Sequence, residues 1–182
     1  MTNIIETERL ILRPLTLADA DIAYHGWTGD QEVAKFVSWL PHNSIDDAIK
    51  WLEDVAWKQD DVGNILNNDN YIWGFVVKET DELFGSGGLI WEEECQLFQV
   101  GYNIMKTHWN YGYTTEAMKA ILNFATLNLG IKKVAGRHAK ENLASAKVLQ
   151  KLGFVYDRDD ITLHVDGNRF FNSREYLLEL DC

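Results

Sequence analysis

The sequence is poor in cysteine, proline and positive charge, and it contains no long apolar run. Its two cysteines, Cys95 and Cys182, lie far apart, without a CxxC pair or a metal-ligand spacing among the five histidines. We therefore expect a reduced, cytoplasmic protein without a bound metal. The first ten residues are charged, and no apolar stretch approaches the roughly 20 residues that span a bilayer, so no membrane partner is expected.

The charge balance restricts the choice of partners. Lys and Arg total 17 against 28 Asp and Glu, which gives a formal net charge of −11. Such a surface repels phosphate backbones, so nucleic acid is not expected as a partner. A cationic partner fits better, although net charge also serves solubility alone. With 182 residues and 46% apolar content, the chain is long enough for one globular domain with its own core.

The spacing of apolar residues predicts the order of elements. A strand over residues 9–15 is followed by helices, and then by three strands between residues 71 and 105 that form an antiparallel meander. A helix from Thr114 to about Leu129 ends at Gly130, where a C-cap is expected. A short strand, a helix capped by Asn142 and two final strands complete the chain. This order indicates a mixed α/β layer around one sheet.

The stretch HWNYGYTTEA, residues 108–117, places an aromatic, glycine-bearing turn at the start of a helix. A helix start presents about four unpaired N–H groups and a partial positive charge, and both attract phosphate. Gly112 lets a ligand approach the backbone, and Thr114 and Thr115 add hydroxyl donors. The stretch has neither the Lys-Ser/Thr of a Walker loop nor the three glycines of a dinucleotide fingerprint. It predicts a pocket for an anion.

Read together, QVGYNIM, HWNYGYTTEA and ENLASAKVLQKLGF resemble the GNAT superfamily of acetyl-CoA-dependent N-acetyltransferases. The resemblance is to the branch that includes the ribosomal-protein N-terminal acetyltransferases, and it covers nearly the whole chain. It implies a single N-acetyltransferase domain over residues 1–182. The implied fold is α/β (α+β), with a mixed, mostly antiparallel sheet of about seven strands and helices on both faces.

The resemblance also implies the cofactor site. In the family, backbone amides of the loop grip the CoA pyrophosphate, and Trp109, Gly112 and Thr114 fall on the loop's pattern positions, with Trp109 replacing the usual cation. The strand end near Ile104 corresponds to the segment that pairs with pantetheine, and Asn142 to the residue that contacts its arm. The implied cofactor-binding residues are Ile104, Trp109, Asn110, Tyr111, Gly112, Tyr113, Thr114, Thr115, Asn142 and Ser145. Asn142 and Ser145 also fit a purely structural role at a helix start.

Acetyl transfer to an amine requires a base that takes the ammonium proton, because an α-amino group has a pKa of about 8 and a lysine of about 10.4. The first candidates for the catalytic base are His164, at an offset where relatives carry an acid or base, and Glu92; Glu94 and His138 are further possibilities. Leu149 occupies the position at which some acetyltransferases have a tyrosine that acts as the general acid. Ser145 is therefore the candidate for the acid that protonates the leaving thiolate.

The resemblance implies that the acceptor is a primary amine, either a protein N-terminus or a small amine, which attacks acetyl-CoA directly in a ternary complex. Four tryptophans in the first third could line the acceptor pocket or belong to the core: Trp27, Trp39, Trp51 and Trp57. The alternatives are a non-catalytic acetyl-CoA-binding module and a structural protein of the same fold. Either a monomer or a homodimer is compatible with the sequence.

Overall fold

The computed structural model describes residues 4–55, 70–163 and 170–180. The strands are β1 (Ile5–Glu6), β2 (Leu10–Pro14), β3 (Asn70–Val77), β4 (Glu82–Glu92), β5 (Leu97–Ile104), β6 (Lys133–Ala139), β7 (Val155–Leu163) and β8 (Phe170–Glu179). The helices are α1 (Ala20–Ala23), α2 (Ile45–Val55), α3 (Tyr113–Leu129) and α4 (Leu143–Lys151). A 3-10 turn, Leu17–Asp19, leads into α1, and a π-helical turn, Tyr24–Thr28, continues it.

All the strands belong to one sheet, in the order β1-β2-β3-β4-β5-β6-β8-β7. Every neighbouring pair is antiparallel except β5 and β6, which run parallel. The predicted mixed, mostly antiparallel sheet is confirmed. The strand beyond the expected seven is β1, which has only two residues and is too short to give an alternating pattern in the sequence.

Helices cover both faces of the sheet, as predicted. On one face, Met118, Ile121 and Phe124 of α3 and Leu149 of α4 pack against inward-facing residues of the strands, such as Trp73. On the other face, α1 and α2 bury Ala23, Ala48 and Leu52 in a second core with Ile72 and Leu83. Because side chains alternate along a strand, neighbours such as Ile72 and Trp73 enter different cores.

The parallel pair β5 and β6 separates halfway along its length. Its register runs only from Phe98, opposite Val134, to Val100, opposite Gly136. Residues 101–104 of β5 and 137–139 of β6 continue as strands but do not pair with each other. The sheet therefore has an opening between these two strand ends. The backbone groups of β5 that face the opening have no partner in β6.

The helix that follows β5 has the predicted limits. Gly112 precedes its first residue and Gly130 follows its last, and both adopt left-handed φ angles, of 80° and 66°. Only glycine adopts this region without strain. The sequence also predicts a surface loop in the Asn- and Asp-rich stretch from Gln59 and a turn around Asp166 and Gly167 between the two last strands, and both lie outside the described residues. Across the described ranges, no helix is long and apolar enough to cross a membrane.

Candidate active site

The loop before α3 presents a set of backbone donors without partners. Residues 110–115 make no backbone N–H hydrogen bond to any described group, whereas Trp109 and Glu116 on either side do. Asn110 and Gly112 both have left-handed φ angles, of 68° and 80°. Alternating left-handed residues turn successive N–H groups toward one concave side, which is an arrangement that binds anions. The start of α3 adds its partial positive charge to these donors.

Trp109 connects this loop to the end of β5. Its indole Nε1 donates to the carbonyl oxygen of Ile104 at 3.1 Å, while the ring is 42% exposed. This hydrogen bond ties the start of the loop to the end of β5. Thr114 is buried and Thr115 half-buried, so the two hydroxyls differ in their access to a ligand.

The register of β4 and β5 determines which backbone groups of β5 face the opening. Met105 N–H donates to the Phe84 carbonyl, so in the same antiparallel register Gly85 and Ile104 form a pair without mutual hydrogen bonds. The alternation continues to Tyr102. The N–H groups of Tyr102 and Ile104 therefore point away from β4, toward β6, where the strands have already separated. An extended chain could pair with them as an added strand.

Asn142 and Ser145 stand at the start of α4, as predicted, and they bond to each other. Asn142 Oδ1 accepts from the Ser145 backbone N–H at 3.1 Å, which is a helix cap. The amide N–H₂ of Asn142 has no partner among the residues that the structure describes. Asn142 therefore has a structural role through its oxygen and keeps two donors available for a ligand.

Tyr102, which the sequence patterns do not single out, reaches from β5 to α4. Its hydroxyl lies 2.8 Å from Ser145 Oγ and 3.4 Å from the Ser145 carbonyl oxygen. Burial raises the pKa of Tyr102 to about 12, against the opposing effect of the hydrogen bond with Ser145. Tyr102 is therefore protonated at neutral pH and can donate to Ser145. The sequence contains one signal for this residue: strand alternation puts Tyr102 on the same face of β5 as the core residues Val100 and Ile104.

The structure does not bring all candidate bases to this opening. Glu92 lies opposite Leu97, at the start of β5, whereas Gly85 lies opposite Ile104, at the end of β5. Glu92 and Gly85 are seven residues apart along β4. That separation is about 23 Å at roughly 3.3 Å per residue, so Glu92 is far from Ile104. Its role as a base stays a prediction, and this register gives it no support at the end of β5. Glu94 lies in the turn beyond Glu92.

Two histidines, His138 and His164, are among the candidate bases. His138 is buried, with Nδ1 2.7 Å from the Ala139 carbonyl oxygen and Nε2 3.2 Å from the Tyr176 hydroxyl. Both of its nitrogens are engaged, which supports the structural interpretation of this residue. His164 lies outside the described residues.

The opposite face of the sheet contacts the end of β5 through the π-helical turn. Gly26 in that turn is closed in by the Met105 side chain, with which an added Cβ would collide. Of the four tryptophans for which the sequence allows either a pocket or a core position, Trp27 is fully buried in the core, and Trp57 lies outside the described part of the chain. Trp39 and Trp51 are half-buried, and both contact the ring of His42, with ring centroids 5.7 and 6.1 Å from its centroid.

His42 is a titratable group that carries no motif in the sequence. Its Nδ1 is buried without a hydrogen-bond partner, and its backbone N–H donates to the Thr28 carbonyl of the π-helical turn. Burial lowers the pKa of His42, and the nearby Asp47 carboxylate opposes this effect. The imidazole is therefore neutral at pH 7 and able to accept a proton.

These residues fit CoA by their chemistry. Unpaired N–H groups at a helix start suit a pyrophosphate, and unpaired strand donors suit the amide chain of pantetheine. Comparisons with known proteins agree. The chain is 29% identical to an uncharacterized N-acetyltransferase, p20, of Bacillus licheniformis over 152 residues, which cover 81% of this chain and 80% of the relative.

Solved structures show the same fold. A GNAT-family acetyltransferase from Bacillus anthracis superposes with a TM-score of 0.80 at 18% identity, over 97% of this chain and 98% of the other. Spermidine N-acetyltransferase from Vibrio cholerae, solved with CoA and spermine, gives 0.76 at 15% identity, over 96% and 97%. Residues 9–155 match the family model described as the acetyltransferase (GNAT) domain. The chain therefore belongs to the GNAT family of acetyltransferases.

Proposed function

We propose that this protein transfers the acetyl group of acetyl-CoA to a primary amine by direct attack in a ternary complex. Residues 1–182 would act as a single N-acetyltransferase domain, as a monomer or homodimer. The observation that carries the proposal is the combination of two sets of unpaired donors, at residues 110–115 and at the end of β5. Bound acetyl-CoA supplies the acetyl group as a thioester.

The residues of β5 and α4 would hold the reacting end. The backbone N–H of Tyr102 or Ile104 donates to the thioester carbonyl oxygen as negative charge develops there. As the carbon–sulfur bond breaks, Ser145 gives its hydroxyl proton to the leaving thiolate, and the proton that the attacking nitrogen loses on forming the amide restores the serine hydroxyl. Tyr102 assists, because a hydroxyl that donates to Ser145 Oγ leaves the serine proton free to turn toward the sulfur. Asn142 contacts the pantetheine arm through its free amide donors.

The ammonium of the acceptor must lose a proton before its nitrogen attacks the carbonyl carbon. We propose His164 as the first candidate for this base. His42 is the second, since its Nδ1 is buried without a partner and its pKa is lowered by burial. A pH profile of kcat/KM separates them: the variant that lacks the true base, His164→Gln or His42→Gln, loses the rise in rate on the acidic limb.

The acceptor that we propose is cationic, either a protein N-terminus or a small amine. The net charge of −11 favours a positively charged acceptor. The resemblance of the loop to the ribosomal-protein N-terminal acetyltransferases supports a peptide, and the fold of the spermidine N-acetyltransferase supports a polyamine. We place the reaction in the cytoplasm, where the free, exposed thiol of Cys95 would stay reduced.

The test is in two steps. Isothermal titration with CoA and acetyl-CoA measures binding, and no heat at near-millimolar ligand would overturn the proposal. Release of free thiol is then followed with a panel of peptide N-termini, polyamines and aminoglycosides, with hydrolysis of acetyl-CoA as the blank. Saturable, amine-dependent release supports the transferase, and the preferred amine identifies the acceptor class.

A non-catalytic acetyl-CoA-binding module is the second candidate. One observation supports it: Glu92 is distant from the opening and both ring nitrogens of His138 have partners, so neither of these two residues is available as a base at the end of β5. Tight CoA binding together with thiol release that stays at the hydrolytic blank for every amine would select this candidate.

A further inference from the structure

The loop before α3 contacts a residue that lies about a hundred positions earlier in the chain. Arg9, which immediately precedes β2, donates from Nη1 to the Tyr111 carbonyl oxygen at 3.0 Å. Its guanidinium also stacks over the Tyr113 ring, 4.6 Å from the centroid. Arg9 therefore touches the two residues on either side of Gly112.

The same guanidinium is paired with a carboxylate of α3. Glu116 Oε2 accepts from Arg9 Nε at 2.7 Å and lies 2.6 Å from Nη2, and its Oε1 accepts from the Arg9 backbone N–H at 2.9 Å. Thr7 adds a hydroxyl donor to Oε1 at 2.6 Å. Glu116 thus has both oxygens occupied by the segment before β2.

The contact with Tyr111 has a geometric consequence. In a trans peptide the carbonyl oxygen and the following N–H point in opposite directions. Because Arg9 holds the Tyr111 carbonyl, the Gly112 N–H must point away from Arg9. It is one of the six donors without a described partner, so the contact turns it toward the concave side of the loop.

The pairing with Glu116 has an electrostatic consequence. Glu116 lies in the first turn of α3, where a carboxylate competes with a bound anion for the positive end of the helix. Arg9 cancels that charge at contact distance. The helix start can then attract a phosphate even though it contains an acidic residue and lies on a protein of net charge −11.

We propose that Arg9 and Glu116 form a positioning pair for the phosphate loop: Arg9 aims the Gly112 N–H and neutralises the carboxylate, so that residues 110–115 can hold the CoA pyrophosphate. This inference rests on the proposed function. The pair does not touch the reacting atoms, and its contribution is to the affinity for the phosphate-bearing part of the ligand.

The test compares CoA with pantetheine, which lacks the pyrophosphate, by titration calorimetry and thermal melting. Arg9→Ala is expected to weaken CoA binding by about tenfold, which is about 1.4 kcal/mol, and to leave pantetheine binding unchanged. Arg9→Lys keeps the charge but cannot contact Tyr111 and Glu116 with one planar fork, so it should recover only part of the loss.

Glu116→Gln separates this role from simple cross-linking of β2 and α3. It leaves a free cation beside the loop, so CoA affinity should be kept or increased, with a steeper dependence on salt. The double variant Arg9→Ala/Glu116→Gln should bind CoA better than Arg9→Ala alone, because the unpaired carboxylate is gone. A purely structural pair predicts instead that the double variant binds CoA no better than Arg9→Ala, because the pair is already broken in the single variant.

Lys78→Ala is the matched control. Lys78 pairs with Glu6 at 3.0 Å and contacts the Thr7 carbonyl on the same edge of the sheet, and it makes no described contact with the loop. It should leave the ratio of CoA to pantetheine affinity unchanged. The proposal is overturned if Arg9→Ala lowers the melting temperature without changing that ratio. Failure of the wild type to bind CoA would instead overturn the proposed function on which the inference rests.

Discussion

The two helices beside the opening begin in different ways. The start of α3 has Gly112 at its N-cap with no side-chain cap, and its first N–H groups are unpaired. The start of α4 has Asn142 at its N-cap, and the side-chain oxygen already accepts from Ser145 N–H. One helix start offers its backbone to a ligand, whereas the other satisfies its own backbone and offers side chains.

This difference assigns separate tasks to the two helices. An unsatisfied helix start suits a diphosphate, which needs many donors and little side-chain chemistry. A capped helix start holds Ser145 in one orientation, which suits a single proton transfer beside Tyr102. Variants at each helix start should therefore affect different measured quantities.

The largest effect is expected from Gly112→Val. Valine at a φ of 80° is strained, and relief of the strain would turn the N–H groups of the loop away from the ligand. CoA affinity should fall by about a hundredfold in titration calorimetry. Gly130→Val, with φ of 66° at the other end of α3 and open space around it, is the matched control. Equal losses of CoA affinity in both variants would contradict the special role of the first.

Ser145→Ala should lower kcat by about tenfold, with little change in CoA affinity, because CoA thiolate is already a fair leaving group. If Tyr102 acts through Ser145, Tyr102→Phe lowers kcat in the wild type but not in the Ser145→Ala background. Steady-state kinetics of the wild type, the two single variants and the double variant measure this double-mutant cycle. Independent, multiplying losses would show that the hydroxyl pair does not act as a unit.

A smaller effect is expected from Asn142→Ala, which removes the cap of α4. Loss of an N-cap costs about 1 kcal/mol, and the melting temperature should drop by about 2 to 4 °C. Asn142→Asp restores the cap but not the amide donors. It should regain stability without regaining CoA affinity, whereas recovery of both would argue against a contact between the Asn142 amide and pantetheine.

The smallest effect concerns acid pH. Burial acts to raise the pKa of Glu116, but hydrogen bonds from Thr7 and Arg9 outweigh it, and the net pKa is lowered from the ordinary 4.5. The stability that this carboxylate contributes is therefore present above about pH 4.5 and is lost as pH falls through the lowered value.

Thermal melting from pH 7 to pH 3 checks this sign. The difference in melting temperature between the wild type and Glu116→Gln should shrink toward zero as the pH falls. The cap of α4 does not titrate, so the difference for Asn142→Ala should not follow the same curve. A constant Glu116→Gln difference down to pH 3 would contradict the lowered pKa.

Much of the fold could be predicted because its signals are local. Alternating apolar residues gave β2 to β5, and the glycines at 112 and 130 marked both ends of α3. The loop before α3 is also contiguous, so its residues could be proposed together as a cofactor site. Tyr102, Arg9 and His42 were not found, since each gains its role only from partners far away in the chain.

The acceptor side was predicted least well. Trp27 belongs to the core, while Trp39 and Trp51 pack on His42. Helical spacing of tryptophans cannot distinguish these outcomes, because both a core and a pocket wall require apolar faces. Glu92 was proposed as a base without knowledge of the strand register, which puts it at the other end of β4 from Gly85, the partner of Ile104.

By itself, the sequence determined the order of the elements, the glycine-bearing helix start and the family resemblance, because these depend on residues within a few positions of each other. The tertiary structure decided three further features. These are the separation of β5 from β6, the Tyr102–Ser145 contact and the Arg9–Glu116 pair. Each joins groups from different elements, and their distances follow from how the sheet and helices pack rather than from spacing along the chain.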